Sequence, residues 1–241
     1  MALPEILSPE RVDEAAALVN EYYTKLYRHG VPQTGRRFDD WAGGGDRVEV
    51  ADAITADDLL AVSFLSVQVS PPAIIGLLET RGAEVARLLE EIPTDLDLAA
   101  VTADEYETVL GALSPANKLR RLLRGTDTYR WGIGPTTASK IMARKRPHLV
   151  PIYDSVVGPL MGLNNNDTQW RTWHTALTDG GGLPDRLTAI RKKSGIALQI
   201  SQLRTMDVVL WMHGKKLGMN VQDDGAPTHR RAGAGPHSVL T

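Results

Sequence analysis

The chain has 241 residues, 42% of them hydrophobic, no cysteine and a formal net charge of −2. That length suits one large domain or two small lobes, and that apolar content suffices for a full core. The absence of thiols excludes disulfides, zinc–thiolate centres and iron–sulfur clusters. Six scattered histidines, none paired at i, i+4, leave no reason to expect a metal, and no cofactor is expected either. No apolar stretch reaches the roughly 18 residues of a membrane helix. The N-terminus lacks the basic start and apolar run of a signal peptide, so a cytoplasmic, monomeric protein away from the membrane is the expectation.

In chain order the pattern is helical almost throughout. Val12, Ala15, Ala16, Val19, Tyr22, Tyr23 and Leu26 recur at helical spacing over 9–28. A loop rich in Gly and Arg follows from Gly30 to Arg47, and Val48–Val50 admits a short strand. Thr55 is a candidate N-cap for an apolar element reaching Val69, with Asp57 and Asp58 in its first turn. Pro71-Pro72 ends that element, and Pro72 opens the next, to about Thr80. Further helices are predicted over 84–92, 104–113 and 115–124, then from Pro135 to about Arg144. A short one begins at Asp154, and others cover 170–178, 183–193 and 196–214. The fold class is therefore all-α, a compact helical domain over 1–219 with room for two lobes, followed by a disordered tail over 220–241. Trp170, Trp173 and Trp211 read as core.

Charge is unevenly spread. Nine basic residues lie between Lys118 and Arg146 against one acid, Asp127, so the rest of the chain is acidic. A basic segment on an acidic body is a footprint for a polyanion, although a basic run is often only a solvated face. Within that segment stands Trp131-Gly132-Ile133-Gly134-Pro135-Thr136-Thr137. Glycine permits a sharp turn and a close approach to phosphate. Proline suits the first helical position, and the amides there favour an anion. Thr136 and Thr137 would add hydroxyls, Ile133 would pin the turn into the core, and Lys140, Arg144, Lys145 and Arg146 would extend the phosphate contact. A dinucleotide-binding loop fits less well: Thr137 stands where its last glycine belongs, and a basic helix precedes it rather than a strand. A plain αα-hairpin turn is the structural alternative.

The stretch 119–163 resembles the core of the helix-hairpin-helix DNA glycosylase superfamily, with a closer kinship to an actinobacterial branch sharing the Gly132–Lys140 core. The family signature is a Gly-hydrophobic-Gly hairpin followed by an aspartate that opens a new helix. Asp154 matches that aspartate, eighteen residues after Thr136. Leu65-Ser66-Val67-Gln68-Val69-Ser70 is similar to the family's Leu-Ser-x-Gln-x-Thr segment, whose glutamine fills the gap left by an extruded base. The two matches frame about 55–165, with the helix-hairpin-helix core at about 115–165. The resemblance implies a base-excision glycosylase acting on double-stranded DNA, associated with the nucleoid when bound. Asp154 would be catalytic. Gln68, Gly132, Ile133, Gly134, Thr136, Thr137, Lys140, Arg144 and Lys145 would contact DNA. Tyr153, Trp131, Phe38 or Trp41 would stack on the flipped base. Thr136 stands where lyase-type members carry lysine, so no Schiff-base step is expected. Val156 and Pro159 depart from the family's polar and basic residues after the aspartate.

Each residue has a second reading. Asp154 before Ser155 is an ordinary helix cap, and Gln68 can satisfy a buried backbone group. The altered positions after Asp154 favour a non-catalytic DNA-binding protein on the same scaffold. An enzyme acting on RNA or free nucleosides is a third option.

Overall fold

The computed structural model describes residues 3–26, 30–125 and 131–219, so the expected tail over 220–241 lies outside the described residues. These residues form eleven α-helices, several short 3-10 turns and no strand, which makes the fold all-α. Among them no helix is long and apolar enough to cross a membrane.

The first α-helix packs against the last two. Helix α1 (Val12–Thr24) buries Ala15, Leu18, Val19 and Tyr22. It lies against α10 (Leu183–Ser194) and α11 (Gln202–Lys216), and α8 (Val157–Leu160) also meets α11. The middle of the chain forms a second group. Helix α2 (Ala56–Ser63) packs on α7 (Pro135–Lys145), while α6 (Pro115–Arg124) lies against both α7 and α4 (Gly82–Glu90). Helices α3 (Pro71–Ile75), α5 (Tyr106–Leu110) and α9 (Gln169–Thr178) complete the set. One apolar cluster, from Ile6 to Met212, runs through both groups.

Several boundaries obey local chemistry. Thr55 caps α2 in a full capping box: its hydroxyl accepts from the Asp58 N–H while Asp58 reaches back to the Thr55 N–H. Pro115 and Pro135 each stand in the first turn of their helices. Elsewhere tertiary packing overrides periodicity. The apolar run to Val69 is not one element, since α2 stops at Ser63 and Ser66 takes a left-handed φ of 60°. The Ile196–Gly214 run is helical only from Gln202, where Ser201 Oγ accepts from the Arg204 N–H. Val48–Val50 is a turn, and the Gly/Arg loop holds 3-10 turns at Thr34–Arg37 and Trp41–Gly43.

Helix α7 is the hub, with every residue from Thr136 to Lys145 buried. Its terminal cations point inward. Arg144 donates to the carbonyls of Phe38 (2.5 Å), Asp39 (2.9 Å) and Trp41 (2.5 Å). Lys145 donates to Val50 O (2.7 Å), and both residues meet the buried Asp58, at 3.2 Å and 2.9 Å. Arg146 binds the carbonyls of Leu89, Ile92 and Ala51 and the Asp52 carboxylate. Buried cations need such partners, and a helix C-terminus favours positive charge. The long Gly/Arg loop is thus a wrap whose carbonyls are satisfied by α7. Gly45 makes this possible, because a side chain there would strike the Arg144 carbonyl and the Asp58 carboxylate.

Gly76 has a similar role at the other end of α7. A Cβ there would enter the Trp131 ring, which is held by its indole N–H donating to Leu123 O at 2.8 Å. Gly76→Ala must expel that ring and break the bond. The expected cost is about 3 kcal/mol, from overpacking plus a lost buried hydrogen bond. Urea unfolding checks it, and a loss below ~1 kcal/mol would show that the ring has room to move.

Candidate functional site

The hairpin enters α7 through Gly132, exposed and left-handed at φ 78°, then Ile133, buried as expected. Gly134 is the N-cap and Pro135 follows. The connection is longer than a tight turn, because α6 ends at Arg124 and residues 126–130 lie outside the described residues. Ser70 ties the two matched segments together: its hydroxyl donates to the Trp131 carbonyl and accepts from the Ala73 N–H. Gln68 sits exposed beside that junction.

The expected phosphate contacts need correction. Thr136 and Thr137 are buried at the base of α7, not presented on its surface. Arg144, Lys145 and Arg146 are consumed by the loop wrap. Lys140 also turns inward and is 3% exposed. Among the described residues, the exposed cations of α6 are Lys118, Arg121 and Arg124, while Arg120 folds over the Trp170 ring at 5.0 Å.

Lys140 instead enters a cleft of about 570 Å³, open mouth included, between α1, α7, α11 and the turn after α2. Its ammonium donates to Leu65 O at 2.9 Å and lies 3.6 Å from Asp154 Oδ2. Burial pulls the Lys140 pKa down, opposed by Asp154 and Asp207. The other Asp154 oxygen, Oδ1, accepts from the Val156 N–H at 2.9 Å, and Asp154 O accepts from the Gly158 N–H. Asp154 thus lies ahead of α8 rather than capping it, since the N-cap is Val156; its Oδ1 shapes the turn into that helix while its Oδ2 faces the cleft.

Helix α11 supplies the opposite wall. Arg204 Nη1 meets Asp207 Oδ2 at 2.5 Å, its Nε meets Asp39 at 3.0 Å, and its Nη2 donates to the Tyr22 hydroxyl at 3.0 Å. Tyr23 donates to Asp39 Oδ2 at 2.7 Å. Around the cleft, two cations, Lys140 and Arg204, thus face three carboxylates, Asp39, Asp154 and Asp207. Burial pushes the Asp207 pKa up to about 6, against the pull of Arg204, and Asp154 adds to the rise. The i, i+3 pair of Arg204 and Asp207 is legible in sequence, but its place beside Asp154 is not.

The aromatics of the cleft are Tyr22, Phe64 and Trp211 rather than those expected. Trp131 is wedged against Gly76. Phe38 lies in the core with Arg204 5.3 Å from its ring centre. Trp41 donates to Asp57 and stacks edge-on against Phe64, just behind the cleft wall. Tyr153 packs on Gly158. Trp211, expected in the core, is only half-buried and lines the cleft.

Neither a curated protein nor a solved structure matches the chain. One family model covers residues 15–214, a span that contains every residue of the cleft, and the chain belongs to that family, a family of unknown function, DUF6308.

Proposed function

We propose that the protein is a monofunctional DNA glycosylase that hydrolyses the N-glycosidic bond of an altered or mismatched base flipped into this cleft. The observation that carries the reading is the convergence of Asp154, Lys140 and Asp207 on one open cleft behind the hairpin. A base inside a duplex is out of reach, so it must be extruded, at roughly a few kcal/mol of lost stacking. As the bond from C1′ to the base nitrogen breaks, the sugar gains oxocarbenium character, and the Asp154 carboxylate stabilises that charge. Water adds at C1′ and gives up a proton, while the departing base takes one. Asp207, kept partly protonated by burial, is placed to supply the proton. Thr136 carries no amine, and Lys140 is engaged by Leu65 O and Asp154, so the chain is expected to leave an intact abasic site. Gly132 and Gly134, with the α6 cations Lys118, Arg121 and Arg124, would hold the phosphates.

Single-turnover incubation with duplexes carrying deaminated, alkylated, oxidised or mismatched bases, followed by alkali, tests the reading. Cleavage of one substrate supports it. Failure on the whole panel, with salt-sensitive duplex binding, supports the second reading, a non-catalytic DNA-binding protein. That reading is favoured by the direct Lys140–Asp154 pairing and the exposed cations of α6.

The excision rate should depend on Asp207. As a proton donor with a pKa near about 6, it is competent below that value and is lost above it, so the rate should fall as pH rises through it. Asp207→Asn should flatten that limb. A parental pH profile in the variant would remove Asp207 from the chemistry.

A further inference from the structure

Gln33 stands out among the polar groups of the cleft. It is 8% exposed and lines the cleft wall at the N-cap of the Thr34–Arg37 turn, yet its side chain makes no capping bond. Its amide has no hydrogen-bond partner among the described residues, whereas the charged groups of the cleft are paired with one another or with backbone. Its polar atoms are not cut off from water, since Trp173 Nε1 is the one buried side-chain polar atom without a partner among the described residues, so the amide's donor and acceptor stay open to whatever enters the cleft. The neighbouring walls are the rings of Tyr22, Phe64 and Trp211. Flat apolar walls with one unused donor–acceptor pair match a flat ligand with a complementary pair on its edge.

We propose that Gln33 is the specificity-determining residue of the cleft: its amide reads a planar nitrogen heterocycle whose edge carries a hydrogen-bond acceptor beside a donor. A lactam edge, as in inosine, and an amino group beside a ring nitrogen, as in adenosine, both present that pair. The inference rests on reading the cleft as a base pocket, but its test does not need catalysis. Lys140, Asp154, Asp207 and Arg204 hold charge in place, and Gln33 selects the ring. A site built to pair both groups should reject a ring that lacks one of them, because its own amide would again be left unpaired.

The test is ligand-observed NMR titration of the full chain with inosine, adenosine and purine riboside, the last offering ring acceptors and no donor. The parent should bind inosine or adenosine at least tenfold more tightly than purine riboside, and which of the two wins identifies the edge. Gln33→Leu should erase the preference while retaining weak, stacking-type binding. Gln33→Glu, which keeps the shape and an acceptor oxygen but loses the NH₂ donor, should weaken binding of all three nucleosides yet leave the preference in place, because the carboxylate still accepts from the ligand's donor. No hydrogen bond is lost in Gln33→Leu, so its melting temperature should equal or exceed the parent's, a readout that separates lost recognition from lost folding. Equal binding of all three nucleosides, no binding of any, or a preference surviving Gln33→Leu would overturn the inference. A preference abolished by Gln33→Leu in a protein that cuts no duplex would retain the recognition and remove only the glycosylase reading.

Discussion

Asp58→Ala should cost about 3–5 kcal/mol of folding stability, the scale on which removing one partner strands a buried charge. Asp58 is 1% exposed and performs three tasks at once. Its carboxylate closes the α2 capping box through the Thr55 N–H (2.9 Å), a cap worth ~1 kcal/mol alone. It also receives Arg144 at 3.2 Å and Lys145 at 2.9 Å. Without it Arg144 still reaches three loop carbonyls, but Lys145 keeps only Val50 O. Burial already disfavours the Lys145 charge, with Asp58 as the main opposing influence. At ~2–4 °C per kcal/mol for a chain of this size, the melting temperature should drop by roughly 10 °C or more. Lys145→Met in the Asp58→Ala background should recover part of the loss, because the stranded charge is then gone. Urea denaturation of the two single variants and the double variant measures the coupling. A loss below ~1 kcal/mol for Asp58→Ala, or strict additivity, would mean that the loop wrap does not depend on this carboxylate.

That cluster also shows where sequence reasoning succeeds and where it stops. The Thr55–Asp58 cap is readable because both halves lie three residues apart and its chemistry is local. Pro115, Pro135 and the buried Ile133 are readable for the same reason. The direction of Lys140, Arg144, Lys145 and Arg146 is not. Their partners are mostly backbone carbonyls of residues 38–92, which every residue possesses and no side chain advertises. A basic run therefore looks like surface until the loop that wraps it is in place. The apolar stretches 59–69 and 196–214 mislead in another way, since burial rather than helix formation satisfies Val67, Val69, Ile196 and Ile200. The Ser201 cap is the local signal that marks the true start of α11. Asp154 is singled out only by the resemblance to the glycosylase signature, since its residue type and neighbours alone read as a helix cap. Gln33 carries no signal at all, because an unpaired amide becomes visible only once its surroundings are folded.

Asp154→Asn is the variant on which the catalytic reading turns, because geometry gives this residue two roles that the substitution separates. The asparagine oxygen can still accept the Val156 N–H, which Asp154 Oδ1 accepts at 2.9 Å, so the turn into α8 should survive. What disappears is the negative charge facing the cleft. If that charge stabilises an oxocarbenium-like sugar, excision should slow by about 10²–10³-fold, the order lost when a preorganised electrostatic partner is removed. If the proposed duplex binding draws on the hairpin glycines and the α6 cations, it should remain close to parental and stay salt-dependent. One side effect is foreseeable: Lys140 loses the carboxylate 3.6 Å away and keeps Leu65 O, so some stability is lost with the charge. Lys140→Met combined with Asp154→Asn controls for this. The double variant should regain stability while staying inactive, because the missing element is the carboxylate and not the ion pair. Parental excision by Asp154→Asn would reduce Asp154 to a turn-forming residue and move the chemistry, if any, to Asp207. Loss of excision together with loss of duplex binding would instead place Asp154 in the DNA interface.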